Sequence, residues 1–140
     1  GGAATGPIGY NFYRINAMTS PRVSVSLEEV ASYCVEGNKP GFSLDERYMA
    51  IHHYIGDEDA VSLGFTGPTD PGFAPYRMFG ASNIYLVDLT TGLSRRVTNM
   101  GPGQYALFPH FRSDGWMYFI VRQGGRASGE FIVASDAALR

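Results

Sequence analysis

The chain has 140 residues and is 44% apolar and 14% aromatic, with a net charge of −2. This length favours one domain with a substantial core, and the near-neutral charge gives no electrostatic basis for binding nucleic acid or an anionic membrane surface. No apolar run approaches the roughly 20 residues that span a bilayer. The 18 glycines and 8 prolines suit many short strands joined by tight turns, so we predict an all-β fold.

The chain begins with a glycine-rich stretch, residues 1–10, which lacks an initiator methionine. We interpret it as a flexible or processed N-terminal segment. A weak hairpin follows, with strands over residues 11–16 and 22–26. The run Ser26–Ala31 carries the only helix signal that we recognise, and it is short. Cys34 is the single cysteine, so no internal disulfide is possible, and we expect its thiol to be buried.

A twelve-residue pattern occurs twice, at Pro40–Ile51 and, 69 residues later, at Pro109–Ile120. Each copy has a proline, an aromatic strand end, a tight turn that contains an aspartate, and then an apolar strand. Self-similarity at a fixed spacing indicates an array of similar structural units. We therefore expect two equivalent hairpins in this chain.

The turns of the two copies differ at one position. Asp114 is followed by Gly115, which is a strong hairpin signal because glycine accepts a positive φ without a Cβ clash. In the first copy Glu46 follows Asp45 instead, which predicts a turn that is either more strained or of another type. Both aspartates are predicted to cap the backbone of their own turn rather than to serve in catalysis.

A second type of hairpin lies between the two copies. Residues 83–89 form an apolar strand, Thr90-Thr91-Gly92 form a turn with Gly92 as its structural glycine, and residues 94–98 form a polar return strand. Residues 130–134 are a further strand candidate. If the strands of one unit are labelled a to d, the chain supplies three parts: strands c–d over residues 11–33, a full unit over 34–100, and strands a–b–c over 101–140.

These units resemble the TolB-like β-propeller repeat, a WD-repeat-like family. Its signature is close to Pro-x-Phe/Trp-Ser-Pro-Asp-Gly before an apolar strand. Phe42–Asp45 and Phe111–Gly115 match this signature, and Asn83–Gly92 resembles the hairpin that follows it. Leu44 and Ser113 depart from it, because the family favours proline there. The resemblance implies propeller blades of four antiparallel strands, about two to three of them, in an incomplete ring.

The resemblance also implies what this chain does and with what. We expect a non-catalytic protein-interaction scaffold that is the C-terminal part of a longer propeller or a subunit completed by another chain. Its expected partners are another protein or the remaining propeller blades, since a blade needs neighbours on both faces. The alternative is the accessory propeller of a hydrolase, such as a prolyl-oligopeptidase-like enzyme, whose catalytic domain lies outside this chain. A subunit of a larger assembly is a third possibility. The family points to a periplasmic or secreted setting.

The connection between the second and third strands of the full unit is unusually long. It covers Gly56–Ser82, whereas the equivalent connection in the last unit covers Gln123–Gly129. Long loops on rigid scaffolds often carry function, so we predict a partner-binding loop. The alternative is a plain surface insertion packed by its own aromatic residues. The candidate partner-binding residues are Asp57, Glu58, Asp59, Phe73, Tyr76, Arg77 and Phe79.

Few residues suggest metal or cofactor chemistry, and we predict neither group. The acidic run Asp57–Asp59 offers oxygen ligands to Ca²⁺, but it lacks the spacing of a complete calcium loop, so a solvated acidic turn is expected. His52 and His53 are adjacent in a strand and point to opposite faces, which favours structural roles. His110 has no evident partner. The sequence has no Gly-x-Ser-x-Gly elbow, zincin motif or phosphate loop, so we predict no enzyme activity.

Overall fold

A computed structural model of the chain describes residues 9–124 and 129–140. Residues 1–8, and with them most of the predicted N-terminal segment 1–10, lie outside the described residues, as do residues 125–128 of the predicted connection 123–129. The described part is mostly β with one short helix, as the strand pattern predicts. It divides into two units, the first ending at Glu36 and the second comprising Gly37–Arg140.

The first unit is a two-stranded antiparallel sheet. Strand β1 (Tyr10–Met18) pairs with strand β2 (Ser24–Tyr33), and a bulge lies between Phe12 and Tyr13. The predicted hairpin is thus confirmed, with longer strands than expected. The helix signal over Ser26–Ala31 is wrong, because these residues lie within β2 and pair with β1. Cross-strand pairing has overridden a weak local preference for helix.

The environment of Cys34 also differs from the expectation. Its side chain is exposed rather than buried. Cys34 comes directly after the last residue of β2, in a unit whose strand residues are mostly exposed. A two-stranded sheet has no interior in which a small apolar side chain is covered by a second layer.

The second unit is an open, mixed sheet of seven strands. The strands are β3 (Asn38–Phe42), β4 (Tyr48–Tyr54), β5 (Ser82–Asp88), β6 (Ser94–Arg96), β7 (Gln104–Phe111), β8 (Met117–Gln123) and β9 (Glu130–Ser135). Their order across the sheet is β3-β4-β5-β7-β8-β9, and β6 also pairs with β5. Within the series β3 to β6 and the series β7 to β9, each strand pairs antiparallel with the next in sequence, and β5 pairs with β7 in parallel.

Short helical segments complete the second unit. Helix α1 (Ala74–Phe79) and a 3₁₀ turn (Asp57–Asp59) lie between β4 and β5, and a second 3₁₀ turn (Ala137–Leu139) follows β9. No helix among the described residues has the length and apolar character needed to cross a membrane.

The core of the second unit is centred on β4 and β5. Consecutive residues of these strands are buried, which means that both faces are covered. The main buried cluster draws on four strands and comprises Tyr48, Ala50, Ile84, Leu86, Ala106, Met117 and Phe119.

The two aspartate turns occupy equivalent positions, between β3 and β4 and between β7 and β8. Asp45 Oδ1 accepts a hydrogen bond from the Arg47 amide at 3.2 Å, and Asp114 Oδ1 accepts one from the Trp116 amide at 3.1 Å. The hydrogen bond from Ser43, followed by that from Arg47, holds the pKa of the Asp45 carboxyl below its usual value. The two carboxylates therefore bind backbone amides in the same way.

The residue after each aspartate adopts a left-handed backbone. Gly115 has φ of 84° and Glu46 has φ of 56°. Glycine reaches this region freely, whereas an L-residue with a Cβ meets steric strain there. The strain expected at Glu46 from the sequence therefore agrees with its φ. In the β5–β6 turn, Gly92 likewise has φ of 73°, and Asp88 Oδ1 accepts hydrogen bonds from the amides of Thr90 and Thr91.

We predict that Gly115→Ala lowers the free energy of unfolding by about 1 kcal/mol or more. The reason is the positive φ together with a new Cβ that would lie 2.6 Å from Leu139 Cδ2. Urea unfolding measures the change. Gly101→Ala is the matched control, since its Cβ would meet nothing closer than 3.4 Å and its φ lies outside the left-handed region. Equal losses in both variants would contradict the turn assignment.

Candidate functional site

The long connection between β4 and β5, here called the insertion (residues 55–81), leaves and re-enters the sheet at neighbouring points. Tyr54 at the end of β4 lies opposite Ser82 at the start of β5, and the Ile55 amide donates to the Ala81 carbonyl at 2.9 Å. The predicted end of the loop, Ser82, is thus already part of β5. Because its ends are fixed side by side, the insertion is a closed loop on a rigid base.

Local hydrogen bonds order the middle of the insertion. Asp70 Oδ2 accepts from the amide and the hydroxyl of Thr66 at 2.9 and 2.8 Å, and Asp70 Oδ1 accepts from the Gly72 amide at 2.8 Å. The hydrogen bonds from the amides of Thr66 and Gly72 hold the pKa of Asp70 below its usual value. The insertion thus has a defined backbone path here.

Aromatic rings pack against one another inside the insertion. The Phe65 and Phe73 ring centroids are 5.5 Å apart, and Phe73 stacks on Tyr76 with centroids 5.6 Å apart. Only 1% of Phe73 is exposed, so its ring packs inside the insertion and is not available to a partner. The sequence suggested a partner contact for Phe73, but its ring instead belongs to the buried aromatic cluster. The Tyr76 hydroxyl donates to the Met100 carbonyl at 3.4 Å and ties the cluster to the chain after β6.

Helix α1 is an element that the sequence analysis missed. Its six residues are too few to show an amphipathic period. Two signals were present, however: Pro75 lies in the first turn, and Gly80 follows the last helical residue with φ of 66°. Proline at the start and glycine after the end are typical helix boundaries.

The insertion presents several apolar side chains to solvent. Val61, Met78 and Phe79 are 69%, 76% and 59% exposed. In the same segment, Arg77 Nε lies 3.2 Å from Asp57 Oδ1, in an ion pair that is about half exposed. We call these five residues the exposed patch. It contains three of the predicted partner-binding residues, Asp57, Arg77 and Phe79.

The backbone at the end of α1 is anchored to the start of β7. The Tyr105 hydroxyl donates to the Phe79 carbonyl, and the Gly103 amide donates to the Gly80 carbonyl at 2.7 Å. A Cβ added at Gly80 would lie 2.5 Å from the Tyr105 hydroxyl oxygen. This close approach explains why glycine stands at that position, and the two hydrogen bonds hold the end of α1 against the start of β7.

The two adjacent histidines of β4 have different surroundings. His52 is 2% exposed, and its ring packs edge-on against Tyr54 and Phe108 with centroids 5.4 Å away in each case. Burial, and then the charge of Lys39, lower the pKa of His52 below its usual value. These contacts agree with the packing role expected for His52. His110, by contrast, is exposed and stacks on Tyr118.

His53 contacts the acidic run of the insertion. Its Nε2 lies 2.8 Å from Asp59 Oδ2, which also accepts from the Gly56 amide at 2.8 Å. The His53 and Asp59 side chains are only 10% and 15% exposed, so the expected solvated turn describes Asp57 and Glu58 but not Asp59. The sequence analysis missed this pair, because the spacing of a strand residue and a loop residue does not reveal their contact.

Glu58 completes a group of possible metal ligands. Among the residues that the structure describes, His53, Glu58 and Asp59 are the one set of three ligating side chains whose ligand atoms all lie within 4.8 Å of one another. An imidazole nitrogen and carboxylate oxygens are donors that divalent transition metals accept.

A buried asparagine on the neighbouring strand β5 lies directly opposite His53 of this group. Asn83 pairs with His53 in the β4–β5 register. Its Oδ1 accepts from the Thr98 hydroxyl at 2.9 Å and from the Met100 amide at 2.8 Å. Its Nδ2 is buried and has no hydrogen-bond partner within residues 9–124 and 129–140. That amide group therefore remains available as a donor.

The two aspartate turns also line a common cavity of about 360 Å³. Asp45 and Tyr48 lie on one side, and Asp114, Gly115 and Leu139 on the other. The turns of the two sequence repeats are therefore neighbours in space at one end of the sheet.

A scan against models of known protein families finds no match to this chain, and a search of curated proteins finds none either.

We predict that Phe73→Ala destabilises the second unit by about 3–5 kcal/mol, because it removes a buried ring from the aromatic cluster. Phe79→Ala is the matched control. Its ring is mostly exposed, and truncation should change the free energy of unfolding by less than about 0.5 kcal/mol. Chemical unfolding followed by circular dichroism measures both. A Phe73→Ala protein as stable as wild type would contradict the role assigned to this ring.

Proposed function

We propose that this chain is a TolB-like β-propeller segment that acts as a protein-interaction scaffold and is not itself an enzyme. The observation that carries the proposal is the repetition within the second unit. Two consecutive series of antiparallel strands, β3 to β6 and β7 to β9, carry the same aspartate turn between their first and second strands. In this proposal they are one full blade and part of the next, and the β1–β2 hairpin belongs to a preceding blade.

The contact between the two series supports this arrangement. A Cβ added at Gly41 of β3 would lie 2.4 Å from the Pro109 carbonyl oxygen of β7, so the first strands of the two series touch through their backbones. First strands that lie side by side are expected near the central axis of a propeller. The proline-containing start of each repeat copy is thus located where neighbouring blades would meet.

The exposed patch is the proposed partner surface. It combines apolar side chains, among them Met78 and Phe79, with an arginine in a half-exposed ion pair. Aromatic residues, methionine and arginine are enriched in protein interfaces. The insertion is held by its own hydrogen bonds and aromatic cluster, so binding would require little additional ordering of the chain. The periplasmic or secreted setting belongs to the same proposal and has its support in the family resemblance.

Site-specific photo-crosslinking in the source organism tests this function. A photoreactive phenylalanine at position 79 should yield one main cross-linked protein, and Arg77→Glu in the same chain should reduce the yield severalfold. The matched control is the same photoreactive residue at Leu93, a 72% exposed apolar position outside the insertion. We expect no equivalent product there.

The outcome also separates the two functional hypotheses. A cross-linked partner without a hydrolase domain supports the scaffold, whereas cross-linking to a hydrolase catalytic domain would favour the accessory propeller. Identical products from positions 79 and 93, or no product from position 79, would contradict partner binding by the exposed patch.

A further inference from the structure

We propose that His53, Glu58 and Asp59 bind one divalent transition metal ion of the zinc type, with a coordination position left open to solvent. This inference goes beyond the proposed scaffold function, since none of its three ligands belongs to the exposed patch. It concerns three side chains that meet where β4 passes into the 3₁₀ turn.

The ligand atoms are already close together. His53 Nε2 and Asp59 Oδ2 are 2.8 Å apart, and a carboxylate oxygen of Glu58 completes a set within 4.8 Å. Zinc–nitrogen and zinc–oxygen bonds of about 2.0–2.2 Å place tetrahedral ligands about 3.3–3.5 Å from one another. The pair must open slightly and Glu58 must move inward. Glu58 is exposed and has a flexible side chain, so this adjustment requires no change in the backbone.

Gly56 allows the carboxylate of Glu58 to lie at the group. A Cβ added at position 56 would stand 2.1 Å from Glu58 Oε1. Any side chain at this position would therefore displace the carboxylate from its present place. The Gly56 amide also donates to Asp59 Oδ2, which orients a ligand in the manner usual around bound metals.

The donor set indicates which class of ion would bind. One imidazole and two carboxylates suit zinc and related transition metals, whereas calcium and magnesium prefer oxygen ligands alone. Three protein ligands leave a fourth position for water, as in open zinc sites.

The His53–Asp59 pair is also shielded from water, unlike the residues of a solvated acidic turn. The His53 and Asp59 side chains are largely buried, and the Tyr85 ring packs edge-on against His53 with centroids 5.8 Å apart. His53 Nε2 and Asp59 Oδ2 share a hydrogen bond in the metal-free protein. On binding, both atoms direct lone pairs to the cation, so the neutral imidazole carries its one proton on Nδ1.

Calorimetric titration of the full chain, without a polyhistidine tag, with ZnCl₂ tests the proposal. We expect one zinc ion per chain and a melting temperature raised by about 5 °C or more when free zinc is 100 times Kd. Titration with Co²⁺ should produce visible d–d absorption, which reports coordination independently of stability. Absence of zinc binding would overturn the proposal.

Variants locate the site. Glu58→Gln removes an exposed ligand with little effect on the fold and should weaken zinc binding at least about 10-fold. Asp57→Asn is the matched control from the same 3₁₀ turn, because Asp57 pairs with Arg77 and lies outside the group; its affinity should equal that of wild type. His110→Gln controls for binding to an exposed histidine.

The variants also provide the contrary outcomes. Unchanged affinity in Glu58→Gln, or equal losses in Glu58→Gln and Asp57→Asn, would overturn the site and indicate unspecific attraction to acidic residues. His53→Gln should abolish the Co²⁺ spectrum. If that variant fails to fold, Glu58→Gln and its control decide the question.

Discussion

The pairing of β4 with β5 is the constraint on which the second unit depends. Seven consecutive residue pairs join the strands, from Tyr48 opposite Asp88 to Tyr54 opposite Ser82. Most of these residues are buried, so the backbone groups of both strands are removed from water and must bond to each other. The outer backbone edges of the two strands also need hydrogen-bond partners. These partners are β3 beside β4, and β6 and β7 beside β5.

The same pair determines the geometry of the insertion. Because β4 ends beside the start of β5, a long connection closes over a very short distance, and its own hydrogen bonds and aromatic cluster can order it. The pleat of β4 gives its two histidines different surroundings. His52 packs among aromatic rings, while His53 meets Asp59 at the beginning of the insertion. A bound metal ion would add a link between β4 and the insertion, next to Asp57 of the exposed patch that we propose for a protein partner.

Local signals were sufficient for much of this fold, and contacts between distant residues were not. The aspartate turns and hairpins follow from chemistry within a few residues, such as the Asp114-Gly115 dipeptide. The helix signal at Ser26–Ala31 was wrong because it reflects local preference alone, whereas the strand pairing of this segment with β1 joins residues distant in sequence. Helix α1 is shorter than two turns and shows no period. The contact between His53 and Asp59 depends on how the chain leaves β4, which residue spacing does not encode, and the burial of Phe73 depends on the path of the insertion.

Amide hydrogen exchange of the folded chain, resolved by residue, tests the central role of the β4–β5 pair most directly. The account predicts that the amides of residues 49–53 and 83–87 are the slowest to exchange, since they open only when the second unit unfolds. Amides of β1 and β2, which form a two-stranded sheet with mostly exposed residues, should exchange much faster. Exchange in β4 and β5 as fast as in β1 and β2 would contradict the account.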